Sequence, residues 1–375
     1  MSRKNTILTR LADLNWIIMI CTLSLCFIGI MMQYSAAGGA MEPWAKPHLI
    51  RFCMGLVLLL AISIIPLQFY VRMAYPIYGV CMAMLIFVEV AGYIGMGAQR
   101  WINLGFIQIQ PSEFMKLALI VALARYFHFA RPGDVSHPLI LIPPLIMIAL
   151  PVALILKQPN LGTATITCFI AGMILFMAGL RWQYFAAVIV AGMIAAPIGW
   201  QFLHDYQKQR VMTFLDPSQD PLGSGYNITQ SMIAIGSGGF FGKGFLQGSQ
   251  GQLDFLPEKQ TDFIFTMVAE ELGYAGGLVV LLLFAVILGY GLALTVRPRN
   301  RFAALLATGI TGMFFAHIFI NVAMVMGLVP VVGVPLPFLS YGGTFMLSSM
   351  MGIGLLMSAY IHRDTHLHRN IRGLI

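Results

Sequence analysis

Ten apolar stretches follow one another along this chain of 375 residues, each close to the ~20 residues that a helix needs to cross a bilayer. They cover residues 14–34, 48–67, 71–92, 112–129, 138–156, 161–179, 183–200, 263–294, 303–325 and 341–361. Hydrocarbon offers no partner to a backbone amide, so a chain with this pattern has to satisfy its own backbone within helices. The fold expected is an all-α polytopic integral membrane protein, a bundle of ten transmembrane helices in a single domain over 1–375. Segment 263–294 is too long for one upright crossing and is expected to tilt or to project beyond the bilayer.

The charge content agrees with this and excludes a water-soluble enzyme. Charged residues make up 10% of the chain, against roughly 25% in soluble domains, and the mean hydropathy is +0.83. The net charge of +8 is spread as ones and twos between apolar runs rather than gathered on a face, so no nucleic-acid partner is expected. Cys21, Cys26, Cys53, Cys81 and Cys168 lie inside apolar runs without zinc-site or disulfide spacing and read as small buried hydrophobes. Arg3, Lys4 and Arg10 ahead of an apolar run resemble a signal peptide. The run from Trp16 to Met32 exceeds the ~7–15 residues of a cleavable core, so it is expected to remain as the first span.

Basic residues set the orientation. Thirteen of the 22 fall on the N-terminal side of the bundle: Arg3, Lys4, Arg10, Arg72, Arg125, Arg131, Arg181, Arg297, Arg299, Arg301, Arg363, Arg369 and Arg372. Of the rest, Lys208, Arg210, Lys243 and Lys259 sit in one long loop, where the positive-inside rule carries little weight. Both termini are therefore expected in the cytoplasm. The long loop, 201–262, lies between the seventh and eighth spans on the outer side. It holds six of the 14 acids (Asp205, Asp216, Asp220, Asp254, Glu258 and Asp262) and the glycine-rich stretch GSGGFFGKGFLQGSQG from Gly236 to Gly251. Loops of this length in compact proteins commonly carry function. Within it, Ile228 to Ile235 reads as a short helix ended by Gly236.

A charge at membrane depth costs roughly 2.5–3.5 kcal/mol on insertion scales, so each one is a functional candidate. Glu89 lies late in the third span, Glu113 and Lys116 open the fourth, and Glu270 and Glu271 lie in the eighth. Glu113 and Lys116, three apart, share a helical face within ion-pair reach, either as a mutually neutralising pair or as a polar patch facing a cavity. Asp262 follows Thr261 where the loop becomes the eighth span. The plain reading is an N-cap by Thr261 with an acid in the first turn; the functional reading is a carboxylate at the outer mouth, able to take a proton from a hydroxyl. Lys243 within the glycines lacks the GK[ST] ending of a nucleotide loop, which leaves only the weaker idea of glycine amides, Lys243 and Arg210 around a phosphate. The segment from Val329 to Gly343 is uncharged, with three prolines and three glycines, and has to pack in protein or line a cavity. His317 and Asn321, four apart, are expected to bond between helices rather than to a metal.

Six segments carry a resemblance: GAQRWINLGFIQIQPSEFMKLA (Gly97 to Ala118), KQPNLGTA (Lys157 to Ala164), QKQRVMTFLDPSQDPLGSGYNITQS (Gln207 to Ser231), IGSGGFFGKG (Ile235 to Gly244), LPEKQTDFIFTMVAEELG (Leu256 to Gly273) and PVVGVPLPFLSYGG (Pro330 to Gly343). In this order they resemble the SEDS family (shape, elongation, division and sporulation), on the side of its rod-shape members. The resemblance implies a peptidoglycan glycosyltransferase of the bacterial cytoplasmic (inner) membrane, with its active site on the outer face. It would polymerise lipid II into β-1,4-linked glycan strands during cell elongation, releasing undecaprenyl pyrophosphate. The implied partners are a class B penicillin-binding protein and elongation-complex proteins. Asp262 matches the family's essential aspartate, and Glu113 and Lys116 match the acid and lysine of its PSE motif. Lys116, Arg210, Lys243 and Arg100 are the outer-facing cations that would meet the leaving pyrophosphate. No soluble cofactor is needed; a divalent cation (Mg or Mn) held partly by carboxylates could share the work, although no sequence motif specifies a metal. Two rival readings use the same bundle, a lipid II transporter without chemistry and a scaffold that recruits a transpeptidase.

Overall fold

The fold comes from a computed structural model. It describes residues 11–365 apart from 96, 97, 104, 106, 107, 203, 204, 217–219, 221, 222, 254 and 297–299. Arg3, Lys4, Arg10, Asp254, Arg297, Arg299, Arg369 and Arg372, used above, lie outside the described residues.

The chain is mostly helical: α1 (Trp16–Ala36), α2 (Ala45–Ile64) and α3 (Leu67–Ala91) precede a small sheet, β1 (Tyr93–Gly95), β2 (Ala98–Asn103) and β3 (Gln108–Ile109). Then come α4 (Pro111–Phe129), α5 (Pro138–Lys157), α6 (Leu161–Ala178), α7 (Trp182–Phe202), α8 (Asp205–Leu215), α9 (Ser224–Ser237) and α10 (Ser249–Gln252). The last four are α11 (Ile264–Glu271), α12 (Gly273–Val296), α13 (Arg301–Val325) and α14 (Gly343–Ile361). Local chemistry sets several starts. The side chains of Asn15, Asn160 and Asn300 accept hydrogen bonds from first-turn amides, and Pro111 and Pro138 open α4 and α5, where a missing N–H costs nothing. Among the described residues, α1, α2, α3, α5, α6, α12, α13 and α14 are long and apolar enough to cross a membrane. Helices α4 and α7 lie where the fourth and seventh apolar segments were read.

Three helices form the centre. In α13 and α14, 78% and 83% of the most apolar window is buried in protein, and α4 is buried along almost its whole length. Helix α13 packs on α4, α6, α12 and α14, while α14 packs on α2. Other helices present apolar side chains outward, Val188, Ile189 and Ile194 of α7 among them. Cys53 and Cys168 belong to that outward surface, which corrects their reading as buried; helix faces that meet lipid are as apolar as those that meet protein.

The connections that follow α1, α3, α5, α7 and α13 gather at one end of the bundle. Hydrogen bonds join them there: Gln33 Nε2 to the Gln260 carbonyl (2.8 Å), Arg100 Nε to that of Gln158 (2.8 Å), and the Tyr341 amide to that of Gln260 (2.8 Å). At the opposite end the turns are short, and Arg301 donates to the carbonyls of Ala130 (2.7 Å) and Ala178 (2.6 Å) that close α4 and α6.

Three features depart from the sequence reading. The purely helical class needs correcting, because β1, β2 and β3 pair antiparallel, Ile94 opposite Gln99 and Ile102 opposite Ile109. Beyond Gly92 the chain leaves the helix, and strand pairing then satisfies its backbone groups. The long loop is also more ordered than expected: it carries α8, α9 and α10, and the helix read at Ile228 to Ile235 runs from Ser224 to Ser237.

The third departure is that 263–294, expected as one helix that tilts or projects beyond the bilayer, is two helices broken at Leu272–Gly273. Gly273 has φ +71, a left-handed conformation that glycine adopts without penalty. The glycine-rich segment docks against the break, where the amides of Lys243 and Gly244 donate to the carbonyls of Glu270 (3.0 Å) and Glu271 (3.1 Å). The amides of Tyr274 and Ala275 donate in return to Gly239 (2.9 Å) and Phe240 (3.0 Å). A Cβ at Gly273 would also press on the Gly242 amide and the Phe240 carbonyl. Gly273→Ala is therefore expected to destabilise the protein by about 2 kcal/mol or more, read as a lowered unfolding temperature in detergent, with an unchanged temperature as the contrary result.

Candidate active site

Three helices meet at the Glu113–Lys116 pair of α4. Lys116 Nζ lies 3.0 Å from Glu113 Oε2 and 2.8 Å from His317 Nε2 of α13, and Ser348 of α14 donates to the same Glu113 oxygen (3.2 Å). An ammonium can only donate, so His317 accepts at Nε2, which leaves its Nδ1–H to donate to the Pro335 carbonyl (3.3 Å). The pair anticipated by three-residue spacing is therefore a four-member network. The Lys116 side chain has no exposed surface, so in this conformation it presents no face to a substrate and acts through its charge and its bond to His317.

Asp262 sits at the loop end of the bundle, in a turn that ends before α11. Thr261 is not its helix cap: the Thr261 hydroxyl bonds the carbonyl (3.2 Å) and carboxylate (2.9 Å) of Glu258, and α11 starts after Phe263 with no side-chain cap. The N-cap reading is thereby corrected, since positive φ at Glu258 turns the chain before the helix begins. Tertiary contacts hold the turn instead. The Gln260 carbonyl takes Gln33 Nε2 (2.8 Å) and the Tyr341 amide (2.8 Å), that of Thr261 takes Ser340 Oγ (2.6 Å), and that of Asp262 takes Asn321 Nδ2 (2.7 Å). Asn321 also donates to the Val334 carbonyl (2.7 Å). One turn of α13 thus holds consecutive carbonyls of the 329–343 segment, with His317 on Pro335 and Asn321 on Val334. That segment packs in protein as expected, with Leu336, Phe338 and Leu339 buried and Phe338 stacked on Phe314 at 5.7 Å.

The electrostatics of Asp262 suit a base. Part of the residue remains accessible, yet protein atoms crowd its carboxyl, and this desolvation pushes its pKa up to about 6; the Glu258 carboxylate adds to the rise and Arg210 of α8 opposes it.

The other expected cations are placed less directly. Lys243 Nζ is 2.7 Å from Glu270 Oε1 and 2.7 Å from Ser249 Oγ. Two of the amides imagined as a phosphate cradle, those of Lys243 and Gly244, are committed to α11 carbonyls. Arg100 grips the carbonyls of Gln158 (2.8 Å) and Pro159 (2.6 Å), fixing the sheet to the end of α5. Glu89 pairs with Lys157 at 2.7 Å. Glu270 also accepts from the Gln250 amide (2.9 Å), while Glu271 accepts from Ser35 of α1 and from the Leu246 amide. These two acids clasp the glycine-rich segment; only their adjacency in an apolar run hinted at such a role.

Among the described residues no group of three or more His, Cys, Asp or Glu side chains converges. Asp262 and Glu258 offer a carboxylate pair, which suits Mg only together with substrate phosphate oxygens.

Comparison with known proteins decides the family. The profile of the FtsW/RodA/SpoVE family, described as cell cycle protein, matches residues 15–365. The chain belongs to the FtsW/RodA/SpoVE family. It is 41% identical over 346 residues to the peptidoglycan glycosyltransferase MrdB of Escherichia coli (strain K12), covering 91% of this chain and 92% of that protein. It is 35% identical over 356 residues to stage V sporulation protein E of Bacillus subtilis (strain 168), covering 91% and 95%. A chain from a peptidoglycan synthase complex that coordinates polymerization and crosslinking superposes with a TM-score of 0.83 at 28% identity, over 94% of this chain and 99% of that one. The rod shape determining protein RodA of Thermus thermophilus superposes with a TM-score of 0.71 at 25% identity, over 94% and 98%. Family membership and the apolar helices together make this chain a multi-pass bacterial membrane protein.

Proposed function

We propose that the chain is a peptidoglycan glycosyltransferase that polymerises lipid II, with Asp262 as its general base. The observation that carries this reading is the Asp262 turn, held through its main-chain carbonyls at the loop end of a membrane bundle, with a partly accessible residue whose carboxyl pKa desolvation pushes up to about 6, in a chain whose relatives are named for that activity. Asp262 takes the proton from the 4-hydroxyl of the acceptor sugar. The freed oxygen forms a bond to the donor's anomeric carbon as the bond from that carbon to the pyrophosphate oxygen breaks, and undecaprenyl pyrophosphate leaves with the bonding electrons. Attack from the face opposite the leaving group turns an α-linked donor into a β-1,4-linked product.

Ten helices cross the inner membrane in a single domain, both termini are cytoplasmic, and 201–262 is the extracytoplasmic loop. Arg210, whose charge reaches Asp262, faces the departing pyrophosphate. Glu113 and Lys116 hold the 329–343 segment in place through His317. Lys243 and Arg100 brace the walls of the site. A class B penicillin-binding protein and elongation-complex proteins are its partners, a reading supported by the likeness to a chain of a peptidoglycan synthase complex.

The test is purified full-length protein in proteoliposomes with lipid II. Glycan product supports the proposal; transfer of labelled lipid between leaflets without glycan supports transport instead. The pH profile is a second check. A base must be unprotonated to act, so a pKa raised to about 6 predicts that kcat/KM is level above neutrality and falls as pH drops through about 6. A rate sustained to about pH 4 would mean an unshifted carboxylate.

A further inference from the structure

Enclosure of Lys116 and commitment of Lys243 to Glu270 leave Arg210 as the one cation set so far against a doubly charged leaving group. Arg51, on the second turn of α2, answers that need. Its guanidinium lies over the Tyr341 ring, 4.6 Å from the centroid, and its Nη1 is buried with no hydrogen-bond partner. The same Tyr341 donates its amide to Gln260, two residues before Asp262, so Arg51 belongs to the loop end on which the proposed base sits. Two further details fit an anion. Gly343 gives the guanidinium its room: a Cβ there would lie 3.0 Å from Arg51 Nε. Helix α14 starts at that glycine with no side-chain cap on its first amides, and such N-terminal N–H groups attract negative charge. A buried cationic donor without an acceptor is costly, and a planar fork held on an aromatic face matches phosphate oxygens in pairs.

We propose that Arg51, stacked on Tyr341 beside the start of α14, binds the pyrophosphate of a polyprenyl-linked substrate. This deepens the polymerase reading and rests on it. It is tested on the full-length protein in nanodiscs with undecaprenyl pyrophosphate, inorganic pyrophosphate and phosphatidylglycerol as separate probes, measuring binding directly and the KM and kcat for lipid II.

Arg51→Gln is expected to weaken binding of undecaprenyl pyrophosphate and to raise the KM for lipid II by about tenfold or more, from loss of charge-assisted bonds. Arg51→Lys, which keeps charge without the fork, is expected to fall between the two. Tyr341→Leu is expected to weaken binding in the same direction. Unchanged binding and KM in Arg51→Gln would overturn the proposal, as would Arg51-dependent binding confined to phosphatidylglycerol, or a lowered kcat alone with binding intact. Binding of undecaprenyl pyrophosphate is read without turnover, so failure of the polymerase reading and failure of the Arg51 site give different results.

Discussion

Asp262→Asn is expected to lower glycan synthesis from lipid II by about a hundred- to ten-thousandfold, the contribution of a positioned general base. The substitution keeps the side chain's shape and removes its basicity. It also leaves intact the bonds that hold the turn, because Gln33, Ser340, Asn321 and the Tyr341 amide all bind main-chain carbonyls rather than the carboxyl. The unfolding temperature of Asp262→Asn is accordingly expected to stay at or above that of the parent, since a desolvated carboxylate is replaced by a neutral amide. Loss of synthesis with stability retained identifies chemistry as the step removed. Synthesis near the parent rate would end the assignment of Asp262 as the base.

The second large effect is expected at Lys116. Lys116→Met strands Glu113, a buried acid 3.0 Å from the lost ammonium. Removing one partner of a buried pair costs about 3–5 kcal/mol. The double substitution Lys116→Met with Glu113→Gln removes both charges and is expected to regain most of that stability. It is not expected to regain polymerisation, because the bond from Lys116 that orients His317 toward the Pro335 carbonyl is gone. Thermal unfolding and glycan synthesis on the two variants separate these contributions. A double variant that is both stable and active would reduce the network to a neutralised charge pair.

The Glu113–Lys116 pair and Asp262 were legible in sequence to different depths. Three-residue spacing on a helix puts Glu113 and Lys116 together whatever surrounds them, and the structure finds them bonded. Asp262 could be placed at the end of a loop, but its apparent N-cap was a property of two adjacent residues, and the turn at Glu258 overrode it. The cations were the hardest to read. Lys243 meets its acid 27 residues away and Lys116 its histidine 201 residues away. Arg51, near the start of an apolar segment, looks like any interfacial anchor until the ring beside it is known.

What the sequence determined by itself is whatever depends on neighbours along the chain. Apolar length decides which segments become membrane helices, because in hydrocarbon a helix satisfies its own backbone within four residues. Local side chains add the caps at Asn15, Asn160 and Asn300. Only the tertiary structure decided which charges are enclosed, which are committed to a partner and which lie against the site. It also broke the eighth apolar segment at Gly273, where the amides of Lys243 and Gly244 satisfy carbonyls of α11. The physical reason is that a charge or an unpaired carbonyl inside a bundle must be met by whatever group the packing brings to it, and here those groups come from distant parts of the chain.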